Sequence, residues 1–85
     1  MKFTCLVCNY IGLEEPPYDL RGFGSDEICV CCGFHYGYDD NGNNKNPYVI
    51  EQWRRSWINI GYKWFSSFTK PPSNWSPKEQ LKGIT

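Results

Sequence analysis

Two C-x-x-C pairs, Cys5/Cys8 and Cys29/Cys32, stand twenty residues apart, and no other feature limits the fold of this chain so strongly. Each pair can offer two sulfurs to one side of a tetrahedral cation, and the second pair completes the set. Asn9 follows the first pair and Gly33 the second. A chain that turns back sharply from a metal enters left-handed backbone, which Gly and Asn tolerate best. Cys5, Cys8, Cys29 and Cys32 are therefore the candidate metal ligands, with zinc the expected ion and iron the alternative. Residues 1–45 read as a ribbon clasped by that metal.

The chain has 85 residues, room for one domain over 1–85 and a small core. Chains this short need a staple. A four-thiolate zinc site supplies one, with roughly 10–16 kcal/mol of apparent binding free energy in small zinc peptides. Fifteen aromatic residues add large apolar surfaces. Met1 to Cys5 lead straight into the first pair, with no signal-peptide pattern, and no run reaches the ~18 apolar residues of a membrane span. An odd count of five cysteines does not suit a fully paired disulfide framework, so a reducing, cytoplasmic setting is expected. The fifth, Cys31, fits neither two-residue spacing and reads as a bystander.

The net charge of zero hides a division. Residues 1–42 carry two basic and seven acidic side chains, net −5; residues 43–85 carry seven basic and two acidic, net +5. Either the halves attract each other, or two faces of opposite sign meet different partners.

Phe3-Thr4 and Tyr10-Ile11 read as short strands of a hairpin around the first pair. Residues 12–25, with Pro16-Pro17 and Gly22-Phe23-Gly24-Ser25, form a loop. Phe34 to Tyr38 alternate like a strand, and Asp39 to Asn44 make a polar turn. Asn46 then suits a helix N-cap and Pro47 the first helical position, with Gly61 the stop. Val49, Ile50, Trp53, Trp57 and Ile60 share one side of that helix, facing the core, while Glu51 and Arg55 pair on the other. Ser76-Pro77-Lys78-Glu79 is a capping box that opens a short terminal helix through Lys82, closed by Gly83. Trp75, just before it, staples that turn to the body.

Little here supports catalysis. Four thiolates close a zinc site and leave no position for water or substrate. The lone His35 reads as a group near the metal rather than a ligand or base. Asp39 and Asp40 are adjacent and would point apart on a strand. A calcium loop starting at Asp40 fails at Gly42 and Lys45. Nucleic-acid binding would need Arg54, Arg55, Lys63 and Lys70 for phosphates and Trp64, Phe65 and Phe68 for bases, beside an acidic ribbon half.

The stretch Phe3 to Ile11 resembles the opening knuckle of rubredoxin, and Cys29-Val30-Cys31-Cys32-Gly33 occupies the place of its C-P-x-C-G. Asn9 and Val30 replace a Gly and a Pro, and a helix and tail follow that rubredoxin lacks. The chain also resembles, over nearly its whole length, a group of small uncharacterised bacterial cysteine-rich proteins. Their pattern is a knuckle, a GLxEPPY loop (Gly12 to Tyr18), an EICxCCGFxFGYDD segment (Glu27 to Asp40), a Trp-rich helix (Trp53 to Phe65) and a PPxxWxPxEQL tail (Pro71 to Leu81). In that group Pro is common at the position of Val30.

These resemblances imply a small α+β fold: a rubredoxin-like zinc ribbon of short β-hairpins and two zinc knuckles over 1–45. One amphipathic helix and a short terminal helix, within 46–85, pack on it. The expected function is a non-catalytic, metal-stabilised protein-interaction module, with Tyr18, Phe23 and Tyr38 as candidate contacts. An iron electron carrier and a single-stranded nucleic-acid binder are the alternatives.

Overall fold

The computed structural model describes residues 1–42 and 45–84. Asn43 and Asn44 of the expected polar turn, and Thr85, lie outside the described residues. Helix α1 spans Pro47–Asn59. Asn46 caps it: the side-chain oxygen accepts from the Val49 N–H, and Pro47, which has no N–H to satisfy, takes the first position. Helix α2 is the single turn Pro77–Gln80, capped by Ser76, whose side chain accepts from the Glu79 N–H. Both helices end where the backbone leaves helical geometry, at Gly61 and Tyr62 after α1 and at Gly83 after α2, all with positive φ.

No β-ribbon forms among the described residues, which corrects the expected rubredoxin-like hairpin fold. Among the described residues only three isolated antiparallel bridges occur, Phe3 with Leu13, Tyr18 with Gly24 and Ile28 with His35. The reason lies in the turns. Asn9, Asp26, Gly33 and Gly37 all take positive φ, so the backbone reverses before a ladder can extend. The alternating segment Phe34 to Tyr38 does bury Phe34 and Tyr36. It winds into a turn nonetheless, because the Tyr38 and Asp39 N–H groups both donate to the His35 carbonyl. The Asp39 carboxylate accepts from the His35 N–H, and the Asp40 carboxylate from the Gly37 N–H. Aspartate side chains here take N–H groups that a strand would have offered to a neighbour.

The core is the cysteine cluster together with Val7, Leu13, Phe34, Tyr36, Ile50, Trp57 and Leu81. Ile50 and Trp57 are the buried residues of α1, with Val49, Trp53 and Ile58 packed beside them. Ile60, expected on this stripe, lies past the last helical turn as the C-cap and is 66% exposed. Trp75 packs against Trp57 and Trp64, and Trp64 against Tyr10, so rings tie the tail to both α1 and the first knuckle. No helix among the described residues is long and apolar enough to cross a membrane.

Candidate metal centre

The same local device builds each half of the site. After Cys5 and Cys8 the chain turns at Asn9, whose N–H donates to the Cys5 carbonyl at 3.0 Å, and Cys5 N–H reaches the Tyr10 carbonyl at 2.7 Å. After Cys29 and Cys32 it turns at Gly33, whose N–H donates to the Cys29 carbonyl at 2.8 Å, and Cys29 N–H reaches the Phe34 carbonyl at 3.0 Å. Asn9 has φ 69° and Gly33 φ 83°, the left-handed geometry that the sequence suggested at both positions. Gly33 has a second constraint: a Cβ there would meet the Phe65 ring at 2.6 Å.

The two turns bring Cys5, Cys8, Cys29 and Cys32 together, all buried, with their sulfurs within 4.8 Å of one another. Cys5 Sγ lies 3.9 Å from Cys32 Sγ, and Cys8 Sγ lies 3.7 Å from Cys29 Sγ. A tetrahedron with metal–sulfur bonds of ~2.3 Å has edges of about 3.8 Å. All five cysteines are free of disulfides. The donor set therefore fits a tetrahedral ion that accepts four thiolates, which is the chemistry of zinc or of iron.

The thiols act on one another strongly. Burial opposes ionisation of Cys5, but hydrogen bonds from Cys29, Cys32, Cys8 and Tyr36 overcome it and hold its thiol well below the usual range. Cys8 and Cys32 are pushed up, in each case chiefly through the hydrogen bond with Cys29. One negative charge is thus favoured at the expense of its neighbours. A divalent cation at the centre would let all four sulfurs ionise together.

Several residues without metal-ligand chemistry hold the turns in place. The buried Tyr36 hydroxyl accepts from the Leu6 N–H at 2.9 Å and lies 2.9 Å from Cys5 Sγ, within reach to donate to that sulfur as a thiolate. Arg54 reaches from α1 to the first knuckle, its Nε donating to the Val7 carbonyl at 2.7 Å and its terminal nitrogen to the Leu6 carbonyl at 2.8 Å. Trp53 Nε1 donates to the Cys32 carbonyl at 3.0 Å. The Phe65 and Ser66 N–H groups donate to the Cys31 and Val30 carbonyls. From α2, Gln80 Nε2 donates to the Cys8 carbonyl at 2.8 Å and contacts Cys31 Sγ at 3.4 Å. Its own backbone carbonyl accepts from Asn9 Nδ2 at 2.7 Å. Sequence reading did not single out Tyr36, Arg54 or Gln80 for this work, since no local pattern marks a side chain whose partners lie about 30 to 70 residues away.

The other candidates stand elsewhere. Cys31 is buried beside the tetrad without joining it. His35 Nε2 lies 2.8 Å from the Asp26 carboxylate and its ring stacks on Tyr38. Arg55, a candidate phosphate contact together with Arg54, pairs with Glu51 at 2.8 Å. Tyr18 is half-buried and its hydroxyl donates to the Asp40 carboxylate, whereas Phe23 and Tyr38 are exposed.

The chain is similar to two proteins of Bacillus subtilis (strain 168). It is 32% identical to the uncharacterized protein YozI over 73 residues, which cover 72% of this chain and 60% of that protein. It is 27% identical to the uncharacterized protein YoaQ over 70 residues, covering 69% of this chain and 59% of that protein. The chain thus spans about 60% of the length of these relatives. No family model matches it, and no solved structure does either.

Proposed function

We propose that this protein is a non-catalytic, zinc-binding interaction module of the bacterial cytoplasm that recognises a protein partner. The observation that carries the reading is the buried set of four sulfurs at tetrahedral spacing. Four thiolates fill the coordination sphere of zinc and leave no place for substrate, so the ion acts as a structural clasp. What it clasps is a surface with exposed apolar side chains, including Leu20, Phe23, Tyr38, Phe65 and Phe68. A protein is favoured over a nucleic acid as the partner because Arg54 and Arg55 are already engaged within the fold.

Metal analysis with an absorption spectrum tests the reading. A colourless preparation with one zinc per chain is expected. A red protein with thiolate-to-iron charge-transfer bands would instead make it an electron carrier, since iron fits the same four sulfurs.

A further inference from the structure

The two knuckles are built alike, yet the rest of the chain treats their second cysteines differently. Cys8 lies under the tail: Gln80 Nε2 donates to its carbonyl, and Trp75 Nε1 holds the Gln80 side chain by donating to Oε1 at 2.8 Å. Cys32, its counterpart, borders a groove instead. Trp57, Ile60, Trp64 and Phe65 wall a space of about 310 Å³, and a second groove of about 240 Å³ lies among Trp53, Trp57 and Ile60. Both reach Cys32. The residue is 6% exposed, whereas Cys5, Cys8, Cys29 and Cys31 are exposed by 1% at most.

The sulfurs also differ in what donates to them. Cys5 Sγ accepts from the Val7 N–H at 3.4 Å and lies against the Tyr36 hydroxyl. Among the described residues, no N–H or O–H group donates to the sulfur of Cys8, Cys29 or Cys32. Donated hydrogen bonds disperse the charge of a thiolate and make it a poorer nucleophile. Cys32 therefore joins the two properties that reactivity needs: charge left undispersed by donors when it ligates a metal, and an approach from solvent. Its carbonyl is already taken by Trp53 Nε1, so sulfur is the reactive group that this residue offers.

Resting on the reading of the tetrad as a metal clasp, we propose that Cys32 is a modification site, the sulfur through which a neutral, aromatic alkylating agent reaches the centre and opens the clasp. The groove selects that chemical class. Its walls are indole and phenyl rings with one isoleucine, which suit a flat apolar group. A divalent ion held by four thiolates carries two negative charges and repels anionic reagents.

With a haloacetamide the step balances simply. The Cys32 thiolate forms a bond to the electrophilic carbon, the carbon–halogen bond breaks, and the halide leaves with the bonding pair. No proton moves. The product is a neutral thioether, a weaker ligand than a thiolate, and three thiolates remain to hold the ion.

The test treats the full metal-loaded chain, its metal content fixed beforehand by elemental analysis, with less than one equivalent of iodoacetanilide. Labelled peptides are mapped by mass spectrometry, and released metal is followed with a chromogenic indicator. The first label should fall on Cys32, ahead of Cys31, the free thiol outside the tetrad, and metal should leave in step with labelling. Relative to their rates with free cysteine, iodoacetanilide should react about fivefold faster than iodoacetamide, which lacks the ring. Ile60→Trp, at an exposed position on the groove wall, should slow the labelling several-fold at unchanged metal content. A first label on Cys31 or on a different ligand, equal relative rates for the two reagents, or an Ile60→Trp rate like the parent's would each overturn the inference and leave the clasp standing. A chain purified free of metal would overturn the clasp and the inference together.

Discussion

At the scale of single residues, the centre depends on a few hydrogen bonds to sulfur and to knuckle backbone. Tyr36 is the clearest case, because its buried hydroxyl serves both the Leu6 N–H and Cys5 Sγ. Tyr36→Phe should leave the metal ligands intact yet cost about 2 kcal/mol, the range for a bond to a charged group. A chelator competition should register that as weaker metal retention at unchanged stoichiometry. Tyr18 gives a pH signature. Burial, then its bond to Asp40, raises its hydroxyl well above the ordinary tyrosine range. Below pH ~10 both folded and unfolded chains keep this proton, so its contribution to stability is fully present. As pH rises further the unfolded chain ionises first, and stability is lost. Denaturant midpoints measured from pH 9 to 11 should therefore fall less steeply in Tyr18→Phe than in the parent; parallel slopes would contradict the assignment. One oxygen of the buried Asp40, Oδ1, has no hydrogen-bond partner among the described residues.

At the scale of elements, the two helices act as brackets on the knuckles. Arg54 spends its fork on two carbonyls of the first knuckle, and Gln80 pins the same turn from the other side. Arg54→Ala should cost about 2 kcal/mol in thermal or denaturant melts of the metal-bound protein, through two carbonyls left without their donor. Arg54→Lys should recover less than half of that loss, because an ammonium cannot reproduce a planar fork. Full recovery would mean that charge alone mattered. These elements also divide what sequence reveals from what it hides. The left-handed turns at Asn9 and Gly33 and the caps at Asn46 and Ser76 were legible, because each depends on residues within a few positions. The absent ribbon was not. Alternation at Phe34 to Tyr38 signals which rings are buried, but the Asp39 and Asp40 side chains decide the backbone path. Ile60 misled for a related reason, since helical periodicity lapses at the C-cap. Arg54 read as a surface cation because its partners, Leu6 and Val7, are nearly fifty residues away.

At the scale of the whole molecule, the two short helices and three isolated bridges of the described residues make a poor scaffold by themselves. What unites them is that the links from Trp53, Arg54, Phe65, Ser66 and Gln80 all end on the two knuckles. The knuckles in turn meet through their sulfurs and the buried side chains around them, and Gln80 contacts both. In that arrangement a bound ion would be part of the core, and its binding free energy would be folding free energy. Cys29→Ser removes one sulfur from the tetrad and should abolish tight metal binding together with the fixed packing of the tryptophans. The most direct measurement is a chelator titration of the purified protein, following bound metal by elemental analysis and tryptophan packing by near-ultraviolet circular dichroism. The account predicts one equivalent of metal at the start, and loss of the aromatic signal in step with its removal. A chain that keeps its full aromatic signal after the last metal has gone would contradict it.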